Sequence, residues 1–154
     1  MESERLAVPE KSLSMAESFL NRAYKKLREA EDHLKQVNYS ESISSSQECI
    51  ELSVKSMFLL LTAEYPKRHR FRDEEFEALF EKVPEKLRYL DFPRLFLYSK
   101  FWSSFYETAK YGDERLGVGP EKLFRKDEAE LALKHARECR IAAESLLSYV
   151  KYGA

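Results

Sequence analysis

Gln47, Glu51 and Lys55 fall four residues apart, so on a helix they form one polar stripe. A Glu placed four residues before a Lys stabilises an exposed helix by about 0.3 kcal/mol, and solvated support is one reading of the stripe. The stripe also adjoins an apolar seam. Partly buried, its amide, carboxylate and ammonium would need partners from another helix, another subunit or a ligand. Just beyond Pro66 comes a basic cluster, Lys67, Arg68, His69, Arg70 and Arg72. Such cations complement a helix C-terminus. They also suit phosphate, with Arg68 or Arg70 able to grip two oxygens at once. A third group, Lys100, Tyr106, Lys110 and Tyr111, sets aromatic faces beside ammonium groups. That combination either stacks a base and holds a phosphate or lays lysine stems over the edge of an aromatic core.

Other chemistries find no footing. His33, His69 and His135 are not paired with one another at ligand spacing, so no metal site is expected. No serine or cysteine sits in a glycine-flanked nucleophile elbow. Gly117-Val118-Gly119 lacks the strand and the third glycine of a dinucleotide loop. No catalytic residue and no cofactor are assigned.

The elements that must position these groups are helices. Leu13, Ala16, Leu20, Ala23, Leu27, Ala30, Leu34 and Val37 step by three and four, the seam of a first bundle helix. Ser40 is the expected N-cap of a second helix, whose seam runs Ile43, Ser46, Ile50, Ser53, Met57, Leu60 and which Pro66 ends. The short connection makes the two helices antiparallel neighbours, and serines on the seam allow close approach. Asp73 is the expected cap of a short third helix that ends near Pro84, and a fourth helix, with Pro93 in its first turn, runs to about Tyr111. Residues 112–120 hold three of the four glycines and form the clear loop. An alanine-rich helix begins near Lys126 or Asp127 and runs past Leu146. No stretch alternates long enough to make a strand. The expected architecture is one all-α domain over residues 1–154, an up-and-down bundle of four or five helices, with residues 1–11 as a loose tail.

Composition agrees. Four glycines and five prolines in 154 residues are too few for an all-β domain with many hairpins. Charged residues make up 34% of the chain yet sum to a net charge of -1, so bulk charge selects neither nucleic acid nor anionic membrane. The longest apolar run, residues 57–63, is too short to span a bilayer. With no signal-like N-terminal segment, the two cysteines read as reduced core thiols and a cytoplasmic location is expected.

Taken in order, the long first helix, Tyr39, the Gln47-x-x-x-Glu51-x-x-x-Lys55 pattern, the apolar run, Pro66 with His69, and Tyr106-x-x-x-Lys110-Tyr111 before an alanine-rich helix resemble a HEPN domain (higher eukaryotes and prokaryotes nucleotide-binding) of the small stand-alone prokaryotic kind. The likeness covers roughly residues 12–150. It implies a homodimeric helical bundle, nucleotide binding in some members, and pairing with a minimal nucleotidyltransferase in modules resembling toxin–antitoxin systems. Other members are metal-independent ribonucleases that use an Arg followed after four to six residues by His near the C-terminal helices. Here only Arg28 and His33 have that spacing, on the first helix, and Lys110 stands where the Arg of the common Arg-Tyr pair would be. The expectation is therefore a non-catalytic protein that binds nucleotide or serves as a transferase's partner, with RNA a less favoured ligand. Gln47, Glu51, Lys55, Arg68, His69, Lys110 and Tyr111 are the candidate ligand-binding residues. The alternative is a HEPN ribonuclease with a rearranged site.

Overall fold

The structure, a computed structural model, describes residues 8–153. Six α-helices follow in order: α1 (Glu10–Lys35), α2 (Tyr39–Thr62), α3 (Asp73–Glu81), α4 (Phe92–Ser103), α5 (Tyr106–Tyr111) and α6 (Lys126–Tyr152). A 3-10 helix, Glu85–Leu90, precedes α4, and a 3-10 turn, Pro120–Lys122, precedes α6. The fold is all-α, a helical bundle as expected. Glu10 and Lys11 already belong to α1, so helix begins inside the predicted tail, of which residues 1–7 lie outside the described residues.

The α1, α2 and α6 helices pack against one another and form the frame, with α2 in the middle. Seventeen of the 24 residues of α2 are buried, and six of those are serines. The small residues explain how α2 is covered on so many sides. Ala16, Ala23 and Ala30 of α1 are fully buried at seven-residue spacing, as are Ala129, Ala136 and Ala143 of α6, where Ala132 is fully buried as well. With so little side chain between them, backbones approach until serine hydroxyls reach the neighbouring helix. Ser42 Oγ donates to the Ala30 carbonyl at 2.8 Å, Ser56 Oγ to Ala16 at 3.3 Å, and Ser12 Oγ from α1 to Ala63 at 3.0 Å. Each such bond contributes about 1 kcal/mol net, and it spares a buried hydroxyl a larger desolvation cost. Between the small residues, Ile43, Ile50, Met57 and Leu60 fill the core, each worth about 1.5–3 kcal/mol of apolar burial.

Three local expectations are corrected. Ser40 does not cap α2: its first turn starts at Tyr39, and Ser40 Oγ bonds Glu41 instead. Val37 leaves the α1 seam, because the tight turn into α2 needs a left-handed residue there (φ 64°), and its side chain is exposed. The fourth helix is not continuous. It breaks at Ser104 and Phe105, where Ser103 and Ser104 hydroxyls turn back onto the carbonyls of Lys100 and Phe101, competing with the helical backbone ladder. Beyond the break, α5 lies against α2 and carries Tyr106 and Lys110 to the polar stripe. Gly112 ends α5 with φ 76°, and an added Cβ would meet the Val118 carbonyl oxygen at 2.2 Å, so only glycine fits.

The close α1–α2 contact yields a test. Ser42→Val both removes the bond to Ala30 and overfills a site with no free surface. Urea unfolding should show a loss of about 2–4 kcal/mol, whereas an unchanged midpoint would mean that the helices are not in close contact there.

Candidate functional site

On the α2 stripe, Glu51 is the hub. Its Oε2 accepts from Lys55 Nζ at 3.0 Å and its Oε1 lies 2.7 Å from His69 Nδ1. The Gln47 amide nitrogen approaches the same Oε1 at 3.5 Å. Glu51 and Lys55 side chains are each only 12% exposed, whereas His69 is 55% exposed. A carboxylate only accepts, so the hydrogen between His69 and Glu51 belongs to Nδ1, leaving Nε2 of a neutral ring with a free lone pair. Gln47 is 3% exposed, and its carbonyl oxygen is buried with no hydrogen-bond partner among the described residues.

The segment 63–72 brings His69 to Glu51. The α2 helix ends at Ala63 in the left-handed conformation, its N–H closing onto the Leu59 carbonyl. Pro66 prevents continuation. Phe71 then anchors the segment in the core between Phe58 and Phe76, with ring centroids 5.3 and 5.6 Å away. Arg68 pairs with Glu75 of α3 at 2.6 Å, and Glu75 also accepts from the Arg72 backbone N–H at 2.8 Å. Those bonds hold the Glu75 carboxyl below its ordinary range despite its partial burial, which acts in the opposite direction.

From the other side, α5 supplies an aromatic wall. The His69 ring stacks on Tyr106 at 4.2 Å between centroids and 21° between planes. Lys110 Nζ donates to Tyr106 Oη at 3.0 Å, lies 4.2 Å from that ring's centre, and reaches Glu48 at 3.6 Å. The Tyr106 hydrogen bond, outweighing burial, raises Lys110 above the ordinary lysine range. Glu48 in turn pairs with Lys26 of α1 at 3.2 Å. Next to this network a groove of about 490 Å³ is lined by His69, Arg70, Ser103, Ser104, Tyr106 and Thr108, with Glu107 as its carboxylate. Arg70 is exposed and makes no ion pair or hydrogen bond among the described residues.

Gln47, Glu51, Lys55, His69 and Lys110 thus lie in one contact network. Arg68 does not join it, because its guanidinium is committed to Glu75. Tyr111 is exposed, and it lies near Lys110 without a ring contact among the described residues. Glu48, Ser103, Ser104 and Thr108 were not singled out from sequence. The Ser103-Ser104 pair was the available signal, as serines in tandem weaken a helix and open its backbone to side-chain bonds. Arg28 points elsewhere: it donates to Tyr24 Oη at 3.0 Å, and Arg140 of α6 lies 5.2 Å from that same ring. Among the described residues no three His, Cys, Asp or Glu are placed to hold a metal ion. Cys49 and Cys139 are free and fully buried. Desolvation pushes the Cys49 thiol up to about 12 and Cys139 well above its usual value, so neither is a nucleophile.

The HEPN domain model matches residues 16–146, which include the stripe, the segment carrying His69 and α5. The chain belongs to the HEPN domain family. No curated protein matches the chain. The fold of this HEPN protein is also similar to that of a solved structure, the crystal structure of TT1696 from Thermus thermophilus, at 20% identity and a TM-score of 0.64. That match covers 85% of this chain and 97% of the other. No described helix of this HEPN protein is long and apolar enough to cross a membrane.

His135 provides the contrast to His69. It stacks on Tyr98 at 3.6 Å, and its Nδ1 accepts from the Trp102 indole N–H at 3.0 Å, an arrangement that requires the neutral ring. Burial lowers its pKa below the ordinary value. The unfolded chain therefore takes up this proton first. Stability is complete above about pH 6.5 and declines as pH falls toward the lower folded pKa. Urea midpoints should drop less between pH 7.5 and 5.5 in His135→Gln, which keeps an acceptor for Trp102, than in the parent protein. Equal drops would contradict this assignment.

Proposed function

We propose that this HEPN protein is a non-catalytic nucleotide-binding protein, with the ligand's phosphates in the groove beside Arg70 and its base toward the His69–Tyr106 wall. The observation that carries this reading is the pairing of an aromatic stack with the uncommitted Arg70 guanidinium and the Thr108 hydroxyl around one groove. Aromatic stacking and phosphate neutralisation are the two sequence-tolerant contributions to nucleotide and single-strand binding. Lys110, paired with Glu48 and bonded to Tyr106, stands at the back of the wall.

The further parts of the reading are a homodimer and service as partner subunit to a minimal nucleotidyltransferase in a toxin–antitoxin-like module in the cytoplasm. The transferase part is supported by the family membership together with the resemblance to small stand-alone members. The dimer is supported by Leu97 and Phe101, one turn apart on the outer side of α4 and 59% and 47% exposed, an apolar strip that a second copy would cover.

A second reading has its own support. His69, oriented through Nδ1 by Glu51 and free at Nε2, has the arrangement of a general acid–base, so a ribonuclease with a rearranged site is the alternative. Both are tested on the same protein. Calorimetry with ATP, GTP and a short oligonucleotide should show saturable binding that weakens about tenfold in Arg70→Ala, a loss expected for one charge-assisted phosphate contact. No heat at millimolar ligand would contradict nucleotide binding. RNA should remain intact. Cleavage that disappears in His69→Ala would replace the first reading with the second.

A further inference from the structure

Among the described histidines, only His69 has a carboxylate on one ring nitrogen and nothing on the other. Nδ1 donates to Glu51 Oε1 at 2.7 Å, so Nε2 of the neutral ring keeps its lone pair. His135 is the reverse: its Nδ1 accepts from Trp102, so its Nε2 carries the hydrogen. The Nδ1 of His33 is buried with no partner at all. The His69 ring is also held in place. Lys55 fixes Glu51 through its other oxygen at 3.0 Å, and Tyr106 stacks on the imidazole at 4.2 Å. Glu51 is 12% exposed and His69 is 55% exposed, so the bonded edge of the ring faces inward and the free edge outward. His69 lines the groove of about 490 Å³ together with Arg70, the next residue, whose guanidinium is uncommitted among the described residues.

We infer that His69 Nε2 is a phosphoryl acceptor, modified by the terminal phosphoryl group of a nucleoside triphosphate bound in this groove. The Nε2 lone pair attacks the γ-phosphorus. The N–P bond forms as the bond to the β,γ-bridging oxygen breaks, and the nucleoside diphosphate leaves with that electron pair. The Nδ1 hydrogen stays on the ring, where the Glu51 carboxylate compensates the positive charge that the new bond places there. Phosphates held by Arg70 lie within one residue of Nε2, and a guanidinium suits the transferring oxygens. Magnesium binds through one or two carboxylates together with substrate phosphates, and Glu107, the groove's carboxylate, can share the ion that the nucleotide carries. Ser103 and Ser104 line the same groove, but their hydroxyls are engaged with the carbonyls of Lys100 and Phe101. The modification is stoichiometric rather than a turnover reaction. It therefore adds to the nucleotide-binding reading and rests on it.

Incubation of the full chain with γ-labelled ATP or GTP and magnesium tests it. The parent protein is expected to gain a label that is stable in alkali and lost in acid, as an N–P bond is, and peptide mass spectrometry should place it on His69. His69→Ala should gain none. Glu51→Gln keeps an acceptor for the Nδ1 hydrogen but removes the charge. At saturating nucleotide, where a change in affinity does not register, it should slow labelling by about tenfold or more, the usual effect of losing a group that orients a reacting histidine. Thermal melts verify that both variants are folded. If calorimetry shows nucleotide bound but no acid-labile label appears, the inference is overturned and nucleotide binding stands. Label that persists in His69→Ala, or an equal rate in Glu51→Gln, also overturns it. If neither triphosphate binds, both fall together.

Discussion

On a helix buried over most of its surface, each polar side chain left without a partner is costly, and α2 is such a helix. Seventeen of its residues are out of solvent, among them Gln47 and six serines, with Glu51 and Lys55 nearly so. Leaving a buried hydroxyl or amide unpaired costs about 1–3 kcal/mol, and a buried unpaired charge costs more. Much of the rest of the architecture answers that requirement. On the α1 side, serine hydroxyls reach backbone carbonyls because alanines allow the helices close together. On the other side, Glu51 is met within its own helix by Lys55 and across the chain by His69, whose ring is backed by Tyr106. The break between α4 and α5 follows the same logic, since it lets α5 turn toward the stripe and bring Lys110 to Glu48.

The frame was legible in the sequence because bundle burial writes a 3.6-residue period. All six predicted seam positions of α2, Ile43 to Leu60, are buried, as are the alanines of α6. The misreadings fall where local chemistry overrides that period. At Val37 the turn geometry takes a residue out of the seam. At Ser103 and Ser104 an aromatic run with continuous helical character conceals side-chain bonds that end the helix.

The candidate site was legible only in part, for a different reason. The stripe and the basic cluster are local patterns, so their residues could be named. Which of them meet is a tertiary matter. Nothing in the spacing of Glu51 and His69, 18 residues apart, says that the pair forms, or that Arg68, one residue earlier, turns away to Glu75. Membership of the HEPN family accounts for the bundle. The chemistry proposed for it rests on the side chains that line one groove.

The account depends on Glu51 holding His69 against Tyr106. Histidine-ring ¹⁵N–¹H NMR of the parent protein and of Glu51→Gln tests this most directly. In the parent, the His69 Nδ1 proton should be visible and protected from exchange, with ring-to-ring nuclear Overhauser contacts to Tyr106, and both should be lost in Glu51→Gln. A His69 ring that exchanges freely in the parent protein, or that gives the same spectrum in the variant, would contradict the account.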